Sequence, residues 1–227
     1  MRGPVIAIDG PAASGKSSTA AAVARALGYL HVDSGALYRA LTWVAVHQAL
    51  DDPREIAAAA AALHVEWRSL PPGLTVHVDG VDDIDAAIRS AAVNANVSAV
   101  AAMPLLRDWV NARIRAVIAR LPGVVIDGRD IGTVVVPDAE LKVYLTAAAA
   151  TRAERRLAQR GRGGDPGELA AETATLAERD RRDAGRETAP LRQPTDAVRL
   201  DTTTLTLPQQ VARIVALAAE RGLLPLG

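Results

Sequence analysis

Short runs of apolar residues alternate along this chain with longer stretches whose apolar positions recur every three or four residues. The runs are Val5–Ile8, Tyr29–Val32, Val124–Ile126, Leu141–Leu145 and Val198–Leu200. They lack polar alternation, as strands do when both faces of a parallel sheet are covered. The stretches between them read as helices. From Ser17 to Leu27, for instance, Ala20, Val23, Ala24 and Leu27 fall at i, i+3, i+4 and i+7. The predicted fold class is α/β, a doubly wound, five-stranded parallel sheet with surrounding helices. The last helix carries a start signal: Thr206, then Pro208, then Gln209 at capping-box spacing.

Two intervals break this rhythm. From about Leu63 to Arg89 the pattern turns to short alternating runs, Val65-Glu66-Trp67 and Leu74-Thr75-Val76-His77-Val78. A Pro71-Pro72-Gly73 turn joins them and Asp79-Gly80 follows. A small antiparallel β-rich insertion is predicted there. The second interval, Gly161-Arg162-Gly163-Gly164-Asp165-Pro166-Gly167, lies between two arginine-bearing helices and has the make-up of a mobile lid tip or a solvated loop. The chain then divides into a core (1–62, 90–150 and 187–227), the insertion (63–89), and lid and binding helices (151–186). The Ala58–Ala62 tract reads as a good helix former.

Composition narrows the function. With 227 residues the chain can bury a sizeable core as one domain. Its 26 basic and 26 acidic residues cancel, so no global field draws it to nucleic acid or an anionic membrane. Anion preference must then come from local clusters. There is no cysteine, hence no disulfide and no thiolate metal site. No leader pattern or apolar span is read, and a cytoplasmic monomer is expected. The four histidines, His31, His47, His64 and His77, are scattered without ligand spacing and read as structural or surface residues.

The sharpest chemical signal is Gly10-Pro11-Ala12-Ala13-Ser14-Gly15-Lys16-Ser17-Ser18, a complete GxxxxGK[ST] phosphate loop between the first strand and the first helix. Its glycines let backbone N–H groups curl around an anion, and the helix N-terminus adds its positive dipole end. Lys16 is placed to reach the β/γ-phosphates and the Ser17 hydroxyl to ligate Mg²⁺.

Beside this loop stand arginines paired with carboxylates at strand ends and helix starts. Asp33-Ser34-Gly35-Ala36-Leu37-Tyr38-Arg39 follows the second strand, and Asp127-Gly128-Arg129-Asp130 follows the third. Strand carboxyl ends line the ligand crevice of such a sheet. Asp127, and Asp33 beside it, could therefore hold Mg²⁺ through water, while Arg129 forks onto a phosphate. In Glu178-Arg179-Asp180-Arg181-Arg182-Asp183-Ala184-Gly185-Arg186, residues Arg179, Asp183 and Arg186 share one helix face. Asp180, Arg181 and Arg182 read as surface ion pairs. Arg152, Arg155, Arg156 and Arg160 lie on the helix leading to the glycine-rich tip. No DxxG or NKxD switch motif accompanies the phosphate loop. Two phosphate-binding sets imply two phosphorylated ligands and phosphoryl transfer between them. The residues alone leave open a kinase of another small acceptor such as UMP, dTMP or shikimate, and a nucleotide-dependent switch.

IDGPAASGKSS, HVDSGALYRA, SAVAAMPLLR, IDGRDIGTVVVPDA, ERDRRDAGRETAPL and DAVRLDTT together resemble the bacterial cytidylate kinases, nucleoside monophosphate kinases of the P-loop kinase type. The resemblance spans nearly the whole chain. It implies transfer from ATP to CMP or dCMP with Mg²⁺, and an insertion that closes over the monophosphate. It also implies site roles: Ser34, Arg39, Arg129 and Arg186 on the acceptor phosphate, Ser98, Arg107 and Asp130 on cytosine, Arg179 and Asp183 on the sugar hydroxyls. Lys16, Arg39, Arg129 and the lid arginines Arg155, Arg156 and Arg160 would then carry the catalytic charge.

Overall fold

The computed structural model describes residues 2–70, 73–163 and 165–226. The expected Pro71-Pro72 turn and Gly164 of the glycine-rich tip lie outside them. At the centre runs β1 (Val5–Asp9), parallel to β5 (Val124–Gly128) on one side and β6 (Leu141–Thr146) on the other. Beyond these lie β2 (Leu30–Asp33) and β7 (Val198–Asp201), also parallel. These are the five predicted strands, each within a residue or two of its expected ends. Among the described residues the sheet nevertheless has seven strands, in the order β3-β4-β2-β5-β1-β6-β7. The insertion hairpin, β3 (Glu66–Leu70) and β4 (Gly73–His77), is antiparallel as expected, but it extends the main sheet instead of standing apart. The junction is slight, a parallel pairing of His31 with Gly73. An edge strand such as β2 presents unpaired N–H and C=O groups, which the hairpin covers.

The unalternated strands follow from cover on both faces. Val5 and Ala7 of β1 pack with Val124 and Ile126 of β5 into one core, whereas Ile6 and Ile8 pack with Val125 into the other. Side chains alternate faces along a strand, so both parities must be apolar. The first core lies under α2 (Ser34–His47), α3 (Pro53–Ala62), α5 (Ala91–Val100) and α6 (Pro104–Ile118). The second lies under α1 (Lys16–Leu27) and α9 (Leu207–Glu220). The predicted stripe Ala20, Val23, Ala24 and Leu27 is the buried face of α1. The predicted capping box starts α9, with Thr206 and Gln209 bonded reciprocally. The short α4 (Ile84–Ala87) closes the insertion, while α7 (Ala149–Ala158) and α8 (Pro166–Ala184) pair beside the phosphate loop. A π-helical turn at Ile131–Val135 follows β5. Among the described residues no helix is long and apolar enough to cross a membrane.

Candidate active site

The carboxyl ends of β1, β2 and β5 open into a cleft of about 500 Å³ between α1, α2, α5 and α8. On its β1 side the chain turns through the glycine loop into α1. Gly10 has φ 150°, and a Cβ there would lie 2.1 Å from the Leu145 carbonyl oxygen. Gly15, φ 92°, caps α1, and even Ala13 is left-handed at φ 58°. Left-handed residues set in a tight turn aim consecutive N–H groups inward as an anion nest. Lys16 is 5 % exposed and donates from Nζ to the Pro11 carbonyl at 2.7 Å. Burial and the facing Arg129 hold its pKa well below the usual lysine range. The loop is braced from outside. Arg152 donates to Ala12 O at 2.9 Å and to Asp180 at 2.5 Å, and Asp180 accepts from the Ala12 N–H at 2.8 Å. Asp180 is therefore no surface ion pair; α8 brings it against the loop. Arg181 and Arg182 do pair outward, with Glu178.

The strand-end carboxylates face one another, Asp33 in register with Asp127. Both carboxylate oxygens of Asp127 are engaged. Its Oδ2 accepts from the Ser17 hydroxyl at 2.6 Å, and its Oδ1 lies 2.8 Å from His31 Nε2. Burial works against its charge, but these hydrogen bonds outweigh burial and keep its pKa low. Burial and the Asp127 charge push Asp33 up. Asp33 also caps α2, accepting from the Ala36 N–H at 3.1 Å. Ser34 donates to the Asp127 carbonyl at 2.6 Å.

Across the cleft the lining is cationic. Eight Lys and Arg side chains face four carboxylates there, although the whole chain is neutral. Burial and Arg156 lower the Arg39 pKa to about 10. Burial and Arg129 lower that of Arg179 to about 9, and its buried Nε has no hydrogen-bond partner among the described residues. A phosphate entering this nest would supply the missing counter-charge. Asp183, 1 % exposed, accepts from Arg129 Nε at 3.1 Å, Arg186 at 2.5 Å and Ser98 at 3.5 Å. Deeper in, Arg107 is 2 % exposed and bonds to Asp130 and to the Ala101 carbonyl at 2.9 Å. Its guanidinium lies 5.6 Å from the Tyr38 ring centroid. Arg107 Nε and the Tyr38 hydroxyl have no hydrogen-bond partner among the described residues. Such orphans beside a cleft are groups left for a ligand or water.

Of the sequence-predicted residues, Ala12, Ala13 and Gly15 to Ser18 line the cleft. So do Asp33, Ser34, Arg39, Ser98, Arg107, Asp127, Arg129, Asp130, Arg156, Arg179, Asp183 and Arg186. Gly10, Pro11 and Ser14 shape the loop from behind it. Two lid arginines do not reach the cleft lining. Arg155 bonds to Thr202 O and Oγ1 at 2.6 and 3.0 Å, and Arg160 to Glu172 at 2.8 Å. They leave α7 in directions other than that of Arg156. Arg186 is not on the helix face expected for it. α8 ends at Ala184, Gly185 caps it, and Arg186 enters the cleft from the following loop. Sequence reading missed His31, which belongs to the Asp127 network. Its position two residues before Asp33 on the same strand puts both on one face, and that parity was the available signal. Burial disfavours the His31 cation, yet the bond to Asp127 outweighs it and raises the pKa.

Comparison with known proteins gives this geometry a family. The cytidylate kinase family model matches residues 6–220. The cytidylate kinase of Geobacillus sp. (strain WCH70) is 45% identical over 218 residues, covering 95% of this chain and 96% of that one. That of Streptomyces griseus is 44% identical over 216 residues (94% and 91%), and that of Stutzerimonas stutzeri 42% over 224 residues (97% of each). A solved structure of an uncharacterized protein from Eubacterium ventriosum shares the fold alone, with TM-score 0.50 at 12% identity over 96% of this chain and 98% of that one. A match from the first strand to the last helix, over a sheet and cleft of this form, places the chain in the cytidylate kinase family.

Proposed function

We propose that this protein transfers the γ-phosphoryl group of ATP to CMP or dCMP, giving ADP and CDP or dCDP. The observation that carries the reading is the pairing of a phosphate loop with an under-compensated arginine nest across one cleft. The loop and Lys16 hold the donor phosphates; Arg39, Arg129 and Arg186 hold the acceptor phosphate. The bond from the γ-phosphorus to the leaving ADP oxygen breaks as one forms to an acceptor phosphate oxygen. That oxygen is already anionic, so positioning and charge stabilisation carry the catalysis and no strong base is required. Arg156, alone of the three lid arginines on the cleft wall, is assigned the charge spreading over the transferred group. Stretch 151–186 serves as lid and 63–89 as the acceptor-side flap, and their closure excludes water.

Ser17 Oγ suits Mg²⁺ directly, and Asp127, which accepts from that hydroxyl at 2.6 Å, would reach the ion through water; Mg²⁺ takes few protein ligands and completes its shell with phosphate and water. Asp33 would bind it through water. The ion, when bound, neutralises charge on the donor phosphates. Cytosine is assigned to Arg107 and Asp130: the carboxylate accepts from the exocyclic amine and the guanidinium donates to ring acceptors. Uracil would set a carbonyl against Asp130; sites of this kind discriminate by up to ~10⁴–10⁵, and a bridging water that relieves part of the clash makes the expected ratio against UMP much smaller. A coupled ADP-release assay across CMP, dCMP, UMP, AMP and dTMP tests the reading. CMP and dCMP are expected to be the preferred acceptors, and Asp130→Ala to reduce CMP use more than UMP use. Preference for AMP or dTMP, or equal loss on both pyrimidines, would refute the assignment.

A further inference from the structure

Behind the arginine nest, one uncharged side chain touches two of its members. Asn94, on the first turns of α5, accepts at Oδ1 from Arg39 of α2 at 2.9 Å and from Arg156 of α7 at 3.3 Å. Its orientation is fixed. The Nδ2 group donates to the Arg89 carbonyl at 2.7 Å and the Ser90 carbonyl at 2.9 Å, so only the oxygen can face the guanidiniums. Arg39 has a further contact with the Ile88 carbonyl at 3.3 Å, and Arg156 lies 3.9 Å from Glu172. Asn94 is not on the cleft wall, whereas Arg39 and Arg156 both are.

From this convergence we infer that Asn94 is a positioning residue for the reaction, a neutral clasp holding the acceptor-site arginine of α2 and the lid arginine of α7 on one oxygen. The inference rests on the proposed roles of Arg39 and Arg156. Two like charges drawn to one place repel: burial and the Arg156 charge lower the Arg39 pKa, and burial and the neighbouring Arg160 lower that of Arg156. An amide oxygen bonds both without cancelling either charge, so the pair keeps its full attraction for an incoming phosphate. A carboxylate at the same place would hold the arginines more firmly and compete with that phosphate. The uncharged amide is therefore matched to a binding task more than to stability.

Kinetics of Asn94→Ala and Asn94→Asp, beside Arg39→Ala, with a melting temperature for each, separate the outcomes. The alanine variant is expected to raise KM for CMP about tenfold, the scale of one hydrogen bond to a charged group. The aspartate variant is expected to raise it further, because its carboxylate competes with the phosphate, while its melting temperature also registers the two lost Nδ2 bonds to the Arg89 and Ser90 carbonyls. A KM for CMP that rises more in the aspartate than in the alanine variant, whatever the order of their melting temperatures, is a signature that a structural role would not give. If Arg39→Ala raises KM for CMP but both Asn94 variants stay within twofold of wild type, or only lose stability, the clasp is overturned and the acceptor site stands. If Arg39→Ala also leaves KM unchanged, both readings fall.

Discussion

Asp9 is 1 % exposed, yet both its carboxylate oxygens are used: Oδ1 accepts from the Ile131 N–H at 2.9 Å and Oδ2 from the Gly132 N–H at 2.8 Å. The residue preceding the phosphate loop thus fixes the π-helical turn next to Asp130. Burial pushes its pKa up to about 6, against the pull of those two N–H groups. For an acid with a raised folded pKa, the folded state binds the extra proton between about pH 4 and pH 6. Stability falls as pH rises through that window, so the ionised form is held at a cost. A double acceptor justifies the cost, because protonation sets an O–H against one N–H donor. Asp9→Asn makes that mismatch permanent, at about 1–3 kcal/mol for a buried unsatisfied donor. We expect wild-type kcat/KM for CMP to fall on acidification through pH 6 more steeply than that of Asp9→Asn. The CMP phosphate ionises near the same pH in both reactions, so the ratio of the two profiles isolates Asp9. A ratio constant from pH 5.5 to 8 would show that Asp9 does not couple the two sites.

At the scale of elements, the last turn of α8 is held to the segment just after β5 through Asp183, a single counter-charge shared by Arg129 and Arg186. Asp183→Asn keeps the shape and removes the counter-charge. Leaving two largely buried guanidiniums without it should cost roughly 2–4 kcal/mol. Added CMP should restore part of the loss, since its phosphate supplies the missing charge. Urea denaturation with and without CMP measures both, and an unchanged midpoint would show that the arginines do not depend on Asp183. This pairing was invisible in the sequence, where Arg129 and Asp183 are distant and each was assigned only to a ligand. The elements themselves were legible. β1 and β5 read as strands because residues of both parities are apolar, and α1 because its stripe has helical period. The hairpin's place was not legible, because the single His31–Gly73 pairing that joins it to the sheet leaves no mark in composition. Nor was the path of Arg186, which depends on where Gly185 ends a helix. Asp180 was misread because the spacing that suggests surface pairs is the same whichever side α8 presents to the phosphate loop.

Across the whole molecule, charge is neutral in sum and uneven in place. Acidic residues on the outer surface balance a cleft in which arginines crowd beyond their carboxylate partners. The ligand-free protein therefore carries electrostatic strain at its own binding site, of the kind that lowers Arg39 to about 10 and Arg179 to about 9. Any small dianion that enters without needing the base pocket should relieve it. If inorganic phosphate binds with a Kd of about 1 mM, about 50 mM would stabilise the fold by ~2 kcal/mol. For a chain of this size that is a rise in melting temperature of about 5 °C. Phosphate also stabilises proteins generally by exclusion from their surface, an effect that grows steadily with concentration. Binding in the cleft should instead saturate at low millimolar phosphate, and sodium chloride at matched ionic strength should not reproduce it. Scanning fluorimetry over a phosphate series with that control distinguishes the two. A rise that is linear in phosphate, or equal to that in chloride, would mean the arginine nest is already compensated within the protein. In that case anion affinity would have to arise from lid closure, not from a site built in advance.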